Sequence, residues 1–257
     1  MITDPWFYAV AIPAVLLMGL SKGGGFAGVG IVGLPLMSLV IPPLQAVAII
    51  LPILMVQDIV GVWAFRKDFS VESLKILIPA SCLGMTIGYF TAATVSNAGV
   101  MIMVGTIAVV FVVYSLLGGA ARRTEPEPQN RIKGSFWSTV SAFTSFIANA
   151  GAPPFQVYMI PLKLQPKIFA GTAAMYFAFL NYVKFFAFMH LGQVTMPNLA
   201  TSAVLFPLAI AATFVGLWTV SRINLKAFYR IVYVLTFLIG VRLVWAGIQA
   251  LGLVPKM

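Results

Sequence analysis

Long apolar runs follow one another along the chain, separated by short polar interruptions, and many are close to the about 20 residues that a helix needs to cross a bilayer. They predict helical segments over residues 6–20, 25–41, 44–65, 73–94 and 98–118, and a second set over 135–148, 152–162, 166–189, 198–220 and 227–250. The one extended polar segment, residues 119–134, carries Arg122, Arg123, Glu125, Glu127, Arg131 and Lys133 around Pro126 and Pro128, and reads as a solvated linker. The pattern predicts an all-α polytopic membrane protein, with a transmembrane repeat over 1–118, a cytoplasmic linker over 119–134 and a second transmembrane repeat over 135–257.

The first two segments of each set are short for full crossings, at 11 to 17 residues. Each pair is expected to form a helical hairpin, or one broken span, entering and leaving on the same side. Glycine and proline puncture both pairs at matching places. The first break is Ser21-Lys22-Gly23-Gly24-Gly25-Phe26-Ala27-Gly28-Val29-Gly30, and the second is Ser145-Phe146-Ile147-Ala148-Asn149-Ala150-Gly151-Ala152-Pro153-Pro154. Broken backbone at membrane depth survives only where protein buries it or where it lines a cavity. Interrupted segments in corresponding positions of two halves are a pointer to a transporter's binding site.

Charge adds orientation. The net charge of +10 is scattered over short loops, so topology explains it better than a nucleic-acid partner does. With the linker in the cytoplasm, the turns holding Arg66, Lys67 and Lys75, then Lys163 and Lys167, then Arg222, Lys226 and Arg230 fall inside. The turns near 41–44, 94–98 and 189–198 fall outside and carry no Lys or Arg. One half then starts outside and the other inside, so the halves are predicted to be inverted repeats with both termini outside. Weak echoes run in the same order: Asp58 against Asn181, and Gly84-x3-Gly88 against Ala212-x3-Gly216, both small-xxx-small patterns that let helices approach closely.

Hydrophobic residues make up 61% of the chain and charged ones 9%, which excludes an ordinary soluble domain. The single Cys82 excludes a disulfide framework. Asp4 precedes the first apolar run and no Lys or Arg does, unlike a cleaved signal peptide. Gly28-Val-Gly30-Ile-Val-Gly33 matches a dinucleotide fingerprint by letter, but nothing around it predicts the strand and βαβ unit that the fingerprint needs.

Helix starts inside a membrane offer free N–H groups and a positive dipole end to an anion. Around the two breaks, Gly24, Gly25, Gly28 and Gly151 allow close backbone approach, Lys22 brings a charge, Asn149 brings amide donors, and Ser21 and Ser145 bring hydroxyls. Ionisable groups deep in spans are functional candidates. Asp58 is a candidate for a coupling proton, or for a structural ion pair with Lys184 or Arg242; Arg242 is read as a structural ion-pair member. Thr172, Tyr176, Asn181 and Lys184 are read as a polar strip along one helix, and His190 as an interfacial histidine.

These residues carry a resemblance. The Gly-rich break leading into Val32-Gly33-Leu34-Pro35-Leu36, Ala46-Val47-Ala48, Gly151-Ala-Pro-Pro, Phe169-Ala-Gly-Thr172, Asn181 and Lys184, in that order, make the chain similar to the sulfite exporter TauE/SafE family, also called the toluene sulfonate uptake permeases. The resemblance covers about residues 8–250. It implies secondary transport of sulfite or small organosulfonates across the bacterial inner membrane, commonly as efflux, and paired inverted repeats. By position it implies that the Gly-rich breaks, Thr172, Asn181 and Lys184 form the site region. Lys22 departs from the small residues usual in the first break, and Asn149-Ala-Gly-Ala departs from the glycine cluster more usual in the second.

The sequence therefore predicts a carrier, not an enzyme, with no metal and no cofactor. Its partners are a small sulfur-containing anion, a candidate coupling proton and the lipid bilayer; a monomer and a homodimer both fit. The competing readings are a passive anion channel of the same fold and a transporter of a different small carboxylate or sulfur compound.

Overall fold

The computed structural model describes residues 1–24, 29–117, 126–219 and 225–252 of the chain. Every regular element in it is helical. In chain order these are α1 (Pro5–Gly24), a 3-10 turn over Val29–Val32, α2 (Gly33–Met37), α3 (Pro43–Phe65), α4 (Val71–Thr94) and α5 (Asn97–Leu116). After the linker come α6 (Arg131–Ala148), α7 (Ala152–Met159), a 3-10 turn over Ile160–Leu162, α8 (Pro166–His190), α9 (Met196–Thr219) and α10 (Leu225–Ala250). Among the described residues, α1, α3, α4, α5, α8 and α9 are long and apolar enough to cross a membrane. The chain is a multi-pass membrane protein.

Three boundaries differ from the sequence reading. The segment expected over 25–41 is the 3-10 turn over Val29–Val32 and the five-residue α2, with turn over 38–40 and residues 25–28 outside the described residues. Helix α1 does not stop at residue 20 but continues through Ser21-Lys22-Gly23-Gly24, which makes it 20 residues long and sufficient for a crossing. Small residues late in a helix do not end it when Lys22 in the last turn complements the dipole. Helix α6 starts inside the expected linker, because the Asn130 side chain caps it by accepting from the Lys133 N–H at 3.0 Å. The expected breaks are present after each first helix, as the short α2 and α7, each adjoining a 3-10 turn.

Helix α3 is central, with 72% of its span buried against 33–39% for the other five. It packs on α8 and α9, while α1 lies on α9, α4 on α6 and α5 on α10. Glycines set the closest crossings. A Cβ at Gly84 would strike the carbonyl of Thr139, and one at Gly88 would lie 2.6 Å from the Cβ of Phe146, so α4 can approach α6 only with hydrogen there. Gly19 meets Ala212 in the same manner where α1 crosses α9, and Gly105 meets Gly240 backbone to backbone where α5 crosses α10.

Hydrogen bonds gather the loops into two groups at opposite ends of the helices. At one end, Ser70 N–H donates to Thr172 Oγ1 at 2.8 Å, Lys167 pairs with Asp68 at 2.8 Å, Gln129 donates to Ser73 Oγ at 2.8 Å, and the Glu127 N–H donates to the Pro161 carbonyl at 2.9 Å. At the other end, the Ile2 N–H donates to Thr201 Oγ1 at 3.0 Å, and Gln45 donates to Asn198 Oδ1 at 3.2 Å. Exposed Trp6, Trp63 and Trp218 stand near helix ends, where indole rings suit the membrane–water boundary.

Candidate functional site

Helices α3 and α8 each open with proline, which suits a first helical turn, and they run against each other. Fifteen residues past those prolines stand Asp58 and Asn181. They meet: Asn181 Nδ2 donates to Asp58 Oδ2 at 2.7 Å, with both residues 3% exposed. The other carboxylate oxygen, Oδ1, accepts from the Lys22 ammonium, which also donates to the Leu54 carbonyl at 3.2 Å. Lys22 thus bends inward from the last turn of α1 instead of reaching for the membrane edge. Asp58 pairs with Lys22, not with the Lys184 or Arg242 that the sequence suggested.

The second break carries the other half of the site. Asn149 ends α6 in the left-handed region (φ 50°, ψ 27°), a conformation that asparagine tolerates better than most residues with a Cβ. The carbonyls that the break frees find hydroxyls: Ser141 Oγ donates to the Gly151 carbonyl at 2.6 Å, and Thr144 Oγ1 to that of Ala150 at 3.0 Å. A Cβ on Gly151 would lie 2.8 Å from both the Ser141 carbonyl oxygen and Ser145 Cβ, so only glycine fits. Lys184, 1% exposed, donates to Asn149 Oδ1 at 2.6 Å and to the Ser145 carbonyl and hydroxyl at 3.1 Å each.

That last arrangement fixes a polarity. An ammonium can only donate, so Asn149 must present Oδ1 to Lys184, and its Nδ2 is directed elsewhere. Asn149 Nδ2 is buried and makes no hydrogen bond.

Between the two halves lies a cavity of about 150 Å³. Its polar lining is Ser21, Lys22, Gln57, Asp58, Ser145, Asn149, Gln156 and Asn181, with Met18, Phe155 and Phe177 among the apolar walls. The volume is well above the roughly 10–15 Å³ a cavity needs to hold one water. Besides Asn149 Nδ2, the buried polar atoms there without a partner are Gln57 Nε2, Gln57 Oε1 and Gln156 Nε2. In native interiors such atoms find protein or water partners, so these four are groups that water or a ligand in the cavity can complete. Two lysines stand against one aspartate here, Lys22 on the lining and Lys184 behind Asn149.

The remaining expected residues fall elsewhere. Thr172 is fully buried but does not line the cavity: its hydroxyl donates to Ile168 O at 2.7 Å and accepts from Ser70 N–H, clamping the turn between α3 and α4. Nine residues separate Thr172 from Asn181, which is half a turn out of phase on a helix of 3.6 residues per turn. The cavity face of α8 instead runs through Ala170, Ala173, Ala174, Phe177 and Asn181. Tyr176 is likewise buried away from it, against Ser138. Gly24 sits at the carbonyl end of α1, the wrong end for offering N–H groups to an anion, and Gly25 and Gly28 lie outside the described residues. Arg242 is on an exposed face of α10, away from Asp58. His190 ends α8, where Tyr89 OH meets its Nδ1 at 2.7 Å. Gln57 and Gln156 were not singled out in advance; the available signal was an amide inside an otherwise apolar stretch, once in Leu54-Met-Val-Gln57 and once in Pro154-Phe-Gln156-Val.

No curated protein and no solved structure matches the chain. The family model described as "Sulfite exporter TauE/SafE" matches residues 11–243. Covering nearly the whole bundle, both breaks and every polar residue around the cavity, that match places the chain in the TauE/SafE family of membrane transporters.

Proposed function

We propose that the protein is a secondary transporter that exports small sulfur-containing anions, such as sulfite or organosulfonates, across the bacterial inner membrane. The anion binds in the cavity between α3, α8 and the two breaks. The observation that carries this reading is the set of unpartnered amide atoms around a cavity with Lys22 on its lining and Lys184 behind Asn149. Lys22 and Asn149 Nδ2 hold the anion, Asn181 and Asp58 complete the wall, Lys184 orients Asn149, and Asp58 is the group on which a coupling proton resides.

The two halves act as inverted repeats rocking about this site. Support comes from the packing: exchanging α1–α5 for α6–α10 in order turns the α1–α9 contact into α6–α4, and returns α3–α8 and α5–α10 to themselves. The end that gathers Arg66, Lys67, Lys163 and Lys167 is cytoplasmic by the positive-inside rule, and both termini are periplasmic.

The test is counterflow. Proteoliposomes loaded with unlabelled sulfite should transiently accumulate external radiolabelled sulfite, and Asn149→Ala should abolish it. Flux without counterflow would identify a passive channel instead. Sulfite-independent behaviour of the wild type would sink the substrate class.

A further inference from the structure

The free polar atoms at the cavity are not all donors. Gln57 is fully buried in the middle of α3, lines the cavity, and leaves both Nε2 and Oε1 without partners. Whichever way round its amide is placed, one end needs an acceptor and the other needs a donor. Asn149 Nδ2 and Gln156 Nε2 need acceptors only. Neither lysine bonds to Gln57: Lys184 uses its three N–H groups on Ser145 and Asn149, and Lys22, donating to Asp58 and Leu54, keeps its third N–H for the anion.

A simple fully deprotonated oxyanion satisfies the three N–H₂ groups and leaves the Gln57 carbonyl oxygen orphaned. An anion that bears its own hydroxyl satisfies all four. Leaving a buried polar group without a partner costs its full desolvation, and sites built to hydrogen-bond a hydroxyl reject analogues that lack it far more strongly than apolar pockets reject a size change.

We propose that Gln57, Gln156 and Asn149 form an amide clamp selecting small oxyanions that carry a hydroxyl donor, with Gln57 as the specificity-determining residue that reads that hydroxyl. This rests on the cavity being the transport site. Asn149 and Gln156 hold the anionic oxygens, and the Gln57 carbonyl accepts from the hydroxyl.

Matched pairs of ligands test it on the full chain purified in detergent: isethionate against ethanesulfonate, and glycolate against acetate, with affinities from calorimetry. Within each pair the charge is the same and the members differ by one hydroxyl. The wild type should bind isethionate at least tenfold tighter than ethanesulfonate. In Gln57→Met that ratio should fall to near one, whereas Gln156→Met should weaken both sulfonates by a similar factor and keep the ratio. Removing an orphaned amide should also raise the melting temperature of ligand-free Gln57→Met above wild type, which guards against a loss caused by misfolding. Equal binding of both sulfonates by the wild type, or an unchanged ratio in Gln57→Met, overturns the clamp while leaving anion transport standing. Discrimination in the glycolate pair with no sulfonate binding would uphold the clamp and overturn the sulfur substrate.

Discussion

Asn181 donates to Asp58 at 2.7 Å from the same register, each residue standing fifteen positions beyond the proline that opens its helix. Three residues further on in each helix, the first half has Gly61 and the second has Lys184. The contact is therefore alike in position and unlike in chemistry, a carboxylate against an amide, and a lysine ties each break to a central helix from the opposite end. Lys22 comes from α1 to α3, while Lys184 goes from α8 to α6.

Breaking the ion pair by Asp58→Asn leaves the mostly buried Lys22 ammonium without its carboxylate. The expected loss is about 3 kcal/mol, at the low end for a buried pair because the Lys22 side chain keeps 20% exposure. The double variant Lys22→Met/Asp58→Asn should recover most of it. Chemical unfolding of the four members of the cycle checks both statements. In Asp58→Asn, counterflow rates measured at acid and alkaline pH should also converge; a persisting pH dependence would remove Asp58 as the proton carrier.

Asn149 separates backbone from amide. Asn149→Gly and Asn149→Ala should both lose anion binding, since both lack Nδ2. The alanine variant should be less stable than the glycine one by about 1–2 kcal/mol, because only glycine takes φ 50° without penalty. Equal melting temperatures would argue that the cap relaxes once the side chain is gone.

Thr172→Val should lower stability by about 1–2 kcal/mol through the orphaned Ser70 N–H, yet leave KM for sulfite unchanged. A raised KM with an unaltered melting temperature would return Thr172 to the cavity.

Gly61→Ala has room, since the new methyl would lie 3.7 Å from the Ala174 Cβ. It narrows the cavity without straining the helix. Transport of larger organosulfonates should fall several-fold more than that of sulfite, a comparison made by competition in proteoliposomes.

In a Cys82→Ser background, cysteines introduced at Lys67 and at Gln193 should label from opposite sides of the membrane. Labelling of both by one impermeant reagent applied outside would contradict the proposed topology.

Much of the bundle was legible because its signals are local. Apolar run length sets the spans, and glycine and proline set the breaks after α1 and α6. The extent of α1 was missed because Ser21-Lys22-Gly23-Gly24 looks like loop by composition, while the helix continues through it with its lysine inward. The residues around the candidate cavity were legible in part. Asp58, Asn181, Asn149 and Lys22 were visible as polar residues where lipid or breaks were expected. Their pairing was not, since it depends on which helix faces which. Thr172 was misplaced by treating residues nine apart as one face, when helical phase puts them on opposite faces. Gln57 was hidden beside Asp58, and only packing shows that nothing in the protein satisfies it.

The contact between Lys184 and Asn149 has a kinetic meaning as well. Because the ammonium holds the amide oxygen, the orientation of the Asn149 side chain is set in the folded protein, before the proposed anion would arrive. The rotational entropy of that side chain is then lost during folding and not at each transport cycle. At the proposed anion site, an arriving anion would have no amide to wait for, and a departing one would leave none to randomise.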